Sequence, residues 1–421
     1  MVTPPELGAK LEAVGRWGPK AGLSLADQAV ASGAGFVLNI LLARWLPPAE
    51  YGAFAVTFAA FLFLTGFQNA LVLEPMLVLG PANHSHRLRT YLGALLWGQL
   101  MVSILAGIIG IGAAAAVRGP LGEPLIAMGL SLPATLLFWF VRRAGYTAGR
   151  PDLALRASCL YCGGLLALVT GLQAAGRLSA ATAWGAMGLA GLLGGLALLV
   201  PQKWFGGVSP RTVREVAAEH GRYGWWLAVA AVLSAGVNHA QTVATAMFLG
   251  LEAAGALRAM TIFILPASHA VTALSLLALP ALAADYGRGE PAALRRRGLV
   301  VTRILAAGAA LYTLVLGIFA GPLERLAYGG HYAPYAGLAG GLGLVVLFSA
   351  AASGYSLILR AIQRPEHYLL RATAAGVSGL GAAWLLIPPL GLAGAVAATV
   401  IPYAVSAAVT YYLYVKWFPD R

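Results

Sequence analysis

The positive charges of this chain alternate along its length, and no other feature constrains the fold as much. Twelve apolar stretches can be marked in the 421 residues, at 22–46, 52–80, 91–117, 124–141, 153–176, 178–200, 224–248, 253–283, 299–320, 335–359, 368–388 and 390–415. Counting both ends, every second flanking segment is basic. These segments hold Lys10, Arg16 and Lys20; Arg87 and Arg89; Arg142, Arg143, Arg150 and Arg156; Lys203, Arg211, Arg214 and Arg222; Arg288, Arg295, Arg296, Arg297 and Arg303; Arg360, Arg364 and Arg371; and Lys416 and Arg421. The segments between them hold only Arg44, Arg118, Arg177, Arg258 and Arg325, so 23 of the 28 Lys and Arg fall on one side. That is the positive-inside pattern of a multi-spanning helical membrane protein, and it puts both termini in the cytoplasm.

Composition agrees. Hydrophobic residues make up 59% of the chain and charged residues 10%, against about 25% charged in a soluble domain. The net charge of +13 sits in short loops at span ends, where anionic headgroups attract it. A nucleic-acid surface would need a basic polar domain, and the sequence has none, so no nucleic-acid partner is expected. Most stretches reach the ~20 residues that cross the hydrocarbon layer. Lipid offers backbone groups no partners, and continuous apolar runs select helices over a barrel. Nothing before residue 22 reads as a cleavable signal, because the first stretch is long and Asp27 interrupts its start. The expected address is the plasma (inner) membrane.

The chain repeats itself. Leu46-Pro-Pro-Ala-Glu-Tyr-Gly52 follows the first span and Leu249-Gly-Leu-Glu-Ala-Ala-Gly255 the seventh, 203 residues on. Arg150-Pro-Asp152 matches Arg364-Pro-Glu366, and Lys203-Trp-Phe205 matches Lys416-Trp-Phe418. Each half has an even number of spans, so the two insert the same way up and are related by an axis along the membrane normal. The expected organisation is a cytoplasmic segment 1–21, a six-helix bundle 22–200, a linker 201–223, a second six-helix bundle 224–415 and a tail 416–421. Pro201, Trp204 and Trp225 read as interface anchors in the linker. The glycine sets 107/110/112 and 376/379/381 read as close helix packing. Outer loops are short, the longest being 321–334, which leaves no domain for surface catalysis.

Polar groups inside the spans are few. In span one Ser24, Gln28, Ser32, Gly35 and Asn39 recur at three to four residues and form one stripe. Gln68 and Asn69 lie near the centre of span two. Span seven carries Asn238, Gln241, Thr242 and Thr245, with His239 beside them. Span eight carries Thr261, Ser268, Thr272 and Ser275, with His269 near mid-membrane. Each alone suits interhelical hydrogen bonding, worth about 0.6 kcal/mol; together, on the same two helices of each half, they suggest the lining of a substrate cavity. Asp27 completes Ser24-x-x-Asp27, a capping-box spacing, and equally suits ion coupling or gating. Glu74 precedes Pro75 at a similar depth, with Arg142 or Arg143 as a candidate partner. Arg258 and Arg303 sit about one turn inside spans eight and nine, where they can snorkel; Arg258 is the better candidate for an anionic ligand. Pro133, Pro266 and Pro402 favour kinks. His84 and His86 read as solvated loop, and Cys159 and Cys162, with no acid or histidine beside them, as packing residues. No nucleophile, phosphate loop or metal cluster is evident, so neither an enzyme nor a cofactor is expected.

The stretch Leu25-Ala-Asp-Gln-Ala-Val-Ala-Ser-Gly-Ala-Gly-Phe36, running on to Leu41-Leu-Ala-Arg-Trp-Leu-Pro-Pro-Ala-Glu-Tyr-Gly52, resembles the opening of bacterial polysaccharide-export flippases, with Pro47 in place of that family's glycine. Glu219-His-Gly-Arg-Tyr-Gly-Trp-Trp226 resembles the family's approach to span seven. These O-antigen and capsule translocases are related to the lipid II flippase and to multidrug-and-toxin extrusion transporters. The resemblance implies an all-α membrane protein with twelve transmembrane helices in two pseudo-symmetric bundles, V-shaped around a central cavity. It implies export of an undecaprenyl-pyrophosphate-linked oligosaccharide by alternating access, with membrane lipids and polysaccharide polymerase and assembly proteins as partners. It also implies cationic side chains in the cavity, of which this sequence has few at depth. A cation-coupled drug exporter of the same superfamily is the close rival. A glycosyltransferase or ligase is disfavoured by the missing outer domain, and a non-transporting scaffold is a further alternative.

Overall fold

The computed structural model describes residues 4–117, 119–204, 208–362 and 366–418. Arg118, Phe205, Arg364, Pro365 and Arg421, and the side chains of Lys10, Arg16 and Glu366, lie outside the described residues. Among the described residues there is no strand, and the chain runs through α1 (Pro4–Trp45), α2 (Pro48–Gln68), a π-helical turn (Asn69–Leu73), α3 (Glu74–Asn83), α4 (Leu88–Ala116), α5 (Gly122–Thr147), α6 (Pro151–Ala174), α7 (Ala180–Gln202), α8 (Pro210–Asn238), α9 (Ala240–Leu249), α10 (Leu251–Ile262), α11 (Leu265–Gly287), α12 (Pro291–Tyr328), α13 (Leu338–Ala361) and α14 (Glu366–Trp417).

Local chemistry sets many of these boundaries. Proline opens α2, α6, α8 and α12, where its missing N–H costs no helical bond. Ser179 caps α7 by accepting from the Thr182 N–H, and the Thr182 side chain returns a bond to the Ser179 backbone. Asn69–Leu73 widens to a π turn just ahead of Pro75, a proline that cannot supply the ordinary helical donor to the Leu71 carbonyl. Pro266 stands in the first turn of α11, after the break that follows Ile262; it opens a new helix there and does not bend a continuous one. Pro133 and Pro402 stay inside α5 and α14.

Ten described helices are each long and apolar enough to cross a membrane, and the bent pair α8–α9 supplies an eleventh. One of the ten, Tyr368–Trp417, spans 50 residues and is broken at Gly391, whose φ of 58° and ψ of −135° leave helical space. That break separates the two crossings expected at 368–388 and 390–415, and the total is consistent with twelve. Several loop expectations are corrected. The linker is helical from Pro210 and continuous with span seven, and the loop expected at 321–334 is helical to Tyr328. Trp204 is buried, whereas Trp225 is exposed.

The chain divides into two compact units, Met1–Leu38 with Leu64–Ala228, and Asn39–Phe63 with Val229–Arg421. Spans one and two therefore contribute to both. In the first unit Trp184, Phe138 and Phe140 are fully buried, and the Tyr161 ring stacks on Phe138 at 4.0 Å. Here α4 and α5 meet through Gly107 and Gly129, each of whose missing Cβ would lie within 2.6 Å of the other's carbonyl oxygen. Gly112 and Gly381, by contrast, face open space, so only part of the glycine pattern is packing.

In the second unit the sequence repeat becomes a physical contact. A Cβ on Gly52 would stand 1.8 Å from the Leu251 carbonyl oxygen, and one on Gly255 would stand 2.4 Å from that of Pro48. Position 52 meets 251 while 255 meets 48, so the contact is reciprocal at the offset of the repeat. This is the self-complementary geometry of a two-fold relation. Tyr51, Tyr328 and Tyr332 are buried close by, with Tyr332 edge-on to both of the others.

Candidate functional site

Two groupings of polar side chains stand out, one in each unit. In the first, Asp27 of α1 is fully buried. Both its oxygens accept from Arg142 Nε at 3.0 Å, and Oδ2 lies 2.7 Å from Arg142 Nη2. The Tyr146 and Ser158 hydroxyls also donate to the carboxylate. Arg142 continues to Gln28 Oε1 at 3.2 Å, and Gln28 Nε2 donates to the Ser32 hydroxyl. The carboxylate thus ties α1 to α5 and α6 with charge-assisted bonds, the strong kind. The capping-box reading is corrected: α1 runs unbroken through this point, and Ser24 donates to the Lys20 carbonyl one turn back.

Arg143, next to Arg142, reaches Asn69 Oδ1 at 3.5 Å. Gln68 and Gln99 both donate to the Leu136 carbonyl, at 2.9 and 2.8 Å. Their own oxygens are buried without a partner among the described residues. Gln68 is therefore part of a tie between helices.

A further polar cluster joins α8 to span two. His220 Nδ1 lies 3.0 Å from the Leu71 carbonyl and Nε2 lies 2.7 Å from the Tyr91 hydroxyl. Donation from Nδ1 to the carbonyl leaves Nε2 to accept from Tyr91. His84 stacks on Tyr91 at 4.3 Å and pairs with Glu219 at 2.8 Å. His84 is thus buried structure, which corrects its reading as solvated loop; His86 is exposed. Cys162 is buried as expected and Cys159 exposed. No group of three metal-ligating side chains occurs among the described residues.

In the second unit, Asn39 is buried and its Oδ1 accepts from Tyr51 and from Arg258 Nη2, both at 3.4 Å. The Arg258 guanidinium lies 5.4 Å from the Phe58 ring centre, and its Nε has no partner among the described residues. Gln241 is buried against the Ala398 carbonyl. His239 sits at the break between α8 and α9, and His269 and Arg303 are exposed.

The second unit also encloses a cavity of about 370 Å³ between α8, α11, α13 and α14. Ser349, Ser353 and Ser356 line it from one face of α13, at i, i+4 and i+7. Asn238 enters from α8, its amide donating to the Ser234 carbonyl and its oxygen accepting from Tyr403. Thr272 and Ser275 enter from α11, Tyr403 and Ser406 from α14. Arg360 and Arg371 stand in the wall, the latter 5.4 Å from the Tyr368 ring centre. Among the described residues no carboxylate lines the cavity. The arrangement offers many hydroxyl donors and acceptors to a polyhydroxylated ligand and two guanidinium forks to an anion.

Of the residues expected in a cavity, Asn238, Thr272 and Ser275 line this one. Asp27, Gln28, Ser32 and Arg142 form the first grouping, Asn39 and Arg258 meet elsewhere in the second unit, and Asn69 meets Arg143. Sequence reasoning missed Tyr146, Ser158, Gln99, Arg360, Arg371, Tyr403 and the span-ten serines. The serine spacing was a usable signal, whereas the two arginines were hidden among ordinary basic loop residues.

No family model matches the chain, and no curated protein sequence does. Solved structures do. An inward-facing multidrug resistance MATE family transporter of the MOP superfamily superposes with a TM-score of 0.75 at 14% identity, covering 94% of this chain and 100% of that one. The lipid II flippase MurJ in an inward closed conformation gives 0.73 at 13%, covering 93% and 87%. A MOP superfamily transporter from Pyrococcus furiosus gives 0.63 at 15%, covering 94% and 93%. This chain therefore has the fold of the MOP superfamily transporters.

Proposed function

We propose that this chain is a transporter that carries a lipid-linked oligosaccharide, of the undecaprenyl-pyrophosphate type, from the inner to the outer leaflet of the plasma membrane. The product would feed synthesis of an O-antigen, capsule or exopolysaccharide. The observation that carries the reading is the lining of the second unit's cavity, which combines hydroxyl groups and two arginines and, among the described residues, no carboxylate. A sugar diphosphate needs donors and acceptors for its hydroxyls and cations for its phosphates. An organic cation would need the reverse, an acid as counter-charge. The one buried acid among the expected site residues, Asp27, is already saturated by four donor groups.

The physical task is to bring a charged polar group across hydrocarbon, where an isolated ion costs tens of kcal/mol. A cavity that supplies hydrogen bonds and counter-charge removes most of that barrier, and alternating exposure of the cavity to the two faces makes transport vectorial. The MATE and MurJ fold supports this reading at the level of architecture.

The test removes the gene and measures the leaflet in which lipid-linked oligosaccharide resides. Build-up in the inner leaflet, reversed by the wild-type gene and not by Arg360→Ala with Arg371→Ala, is the expected result. An unchanged distribution together with lost resistance to organic cations would favour the cation-coupled exporter.

A further inference from the structure

The first unit holds a second cavity, of about 400 Å³, between the π turn of span two, α4 and the start of α8. Leu71, Leu95, Gly98 and Val102 form its floor and mouth, and Val213, Val216 and Ala217 form the wall on α8. The surface it presents is almost wholly apolar. Gln68 and Gln99 belong to its lining, but their oxygens are buried beneath the wall. Met101 and Val102, at 64% and 68% exposure, leave it open toward the surface that faces lipid chains.

The wall explains what the cavity takes. Val213, Val216, Ala217 and His220 recur at one to four residues on α8 and line the cavity, with Val216 and His220 buried, while Arg211, Arg214 and Arg222 are exposed on the same helix. An apolar stripe beside a basic face is the pattern of a helical segment in the membrane interface, and here it occupies the opening turns of α8. Of its cations, Arg211 pairs with Glu215 at 2.8 Å. Arg214 has no acid within salt-bridge distance among the described residues. Arg222 borders a smaller polar hollow with Arg87, Glu215 and Glu219, but Glu219 is engaged by Asn83 and His84. Unneutralised positive charge thus stands over an apolar slot that opens sideways to the bilayer.

We infer that this cavity is a lipid site, holding one acyl chain of an anionic phospholipid from the leaflet on the basic side of the membrane, with Arg214 and Arg222 meeting its phosphate. The occupant is a resident lipid and not the cargo, because the surface of the slot is almost wholly apolar and its polar atoms offer nothing to a sugar. Such a lipid would brace α8 against the π turn that His220 also holds. The inference does not depend on the identity of the cargo.

The test is native mass spectrometry of the full chain released from nanodiscs of phosphatidylglycerol and phosphatidylethanolamine, beside nanodiscs of phosphatidylcholine. Wild type should retain one phosphatidylglycerol. Ala217→Trp, which fills the slot, should lose it. Arg214→Ala and Arg222→Ala should each lower the preference for phosphatidylglycerol about five-fold, with unchanged thermal unfolding. Gly98→Leu reaches the slot from the opposite side, where a Cβ meets only the tip of Val213 at 3.8 Å, and serves should Ala217→Trp fail to fold. Equal retention by wild type and by a folded slot-filled variant would overturn the inference. So would retention of phosphatidylcholine as readily as phosphatidylglycerol, or of a polyprenyl chain in place of either.

Discussion

Replacing Gly52 by alanine tests the reciprocal contact between the two repeats. The added carbon would stand 1.8 Å from the Leu251 carbonyl oxygen. A carbon and an oxygen in ordinary contact need about 3.3 Å, so the two backbones must part by roughly 1.5 Å. Neither obstacle can swing aside, because the nearest atoms are all backbone. Overpacking usually costs 1–3 kcal/mol where side chains can adjust; here they cannot, so Gly52→Ala should cost more than about 3 kcal/mol. Gly255→Ala meets Pro48 oxygen at 2.4 Å, needs a smaller separation, and should cost about 1–3 kcal/mol. The same parting relieves both clashes, so the double variant should fall short of the sum by about 1 kcal/mol or more. The control is Gly35→Ala, with nothing within 4 Å, which should be neutral or stabilising by up to about 1 kcal/mol. Thermal unfolding in detergent, followed by retention of the monodisperse species, ranks the four proteins. If Gly52→Ala unfolds at the temperature of Gly35→Ala, the reciprocal contact does not hold the repeats together.

Removing either partner of the Asp27–Arg142 pair should be strongly destabilising, by about 3–5 kcal/mol, since the other charge is left buried; Asp27→Asn, which keeps a polar acceptor, should cost less than Asp27→Ala in the same unfolding assay. Arg360→Ala and Arg371→Ala should each weaken binding of a lipid diphosphate several-fold with little change in stability, and titration at rising salt should show a shallower dependence than wild type. Ser353→Val on α13 should reduce transport of the glycan without changing affinity for a bare polyprenyl diphosphate, which separates the sugar contacts from the phosphate contacts. His220→Phe should leave the Leu71 carbonyl and the Tyr91 hydroxyl unpaired and lower stability by about 1–3 kcal/mol.

The fold was legible because a membrane makes the sequence simple. Twenty apolar residues have few alternatives to a helix, and the arginines of the loops set the topology. The helix breaks were less legible. The proline at 266 marked one, but nothing distinguished the π turn at Asn69–Leu73 from the helix around it until His220 appeared opposite the Leu71 carbonyl. The repeat was visible as three short matches, and their meaning at Gly52 and Gly255 required coordinates, since spacing cannot say which glycines approach backbone and which, like Gly112, face open space. The stripe of span one was real, yet it divides: Asp27, Gln28 and Ser32 serve the first unit, and Asn39 the second. Periodicity puts residues on one face of a helix without revealing that the face changes neighbours along its length.

The arginines show why charge alone misleads in such a chain. Arg142 looked like a partner for Glu74 and proves to be mostly buried against Asp27, where its charge is balanced and its geometry fixed. Arg258 looked like the ligand cation and is held instead by an amide and an aromatic face. Arg360 and Arg371 were read only as basic loop residues, yet among the described residues they stand in a cavity wall with surrounding hydroxyls and no carboxylate. A cation matched by an acid holds helices together. A cation placed without one, beside groups that can bind a sugar, retains the capacity to bind an anion brought from outside. Counter-charge taken together with a hydroxyl-lined cavity, and not depth or number, therefore separates Arg142 from the two arginines that a charged cargo would meet. The sorting predicts that exchanging Asp27 and Arg142 for a neutral pair of similar volume leaves transport intact while the same treatment of Arg360 and Arg371 abolishes it. Loss of transport in the first exchange, with the protein still folded, would mean that the buried pair acts in the transport cycle itself.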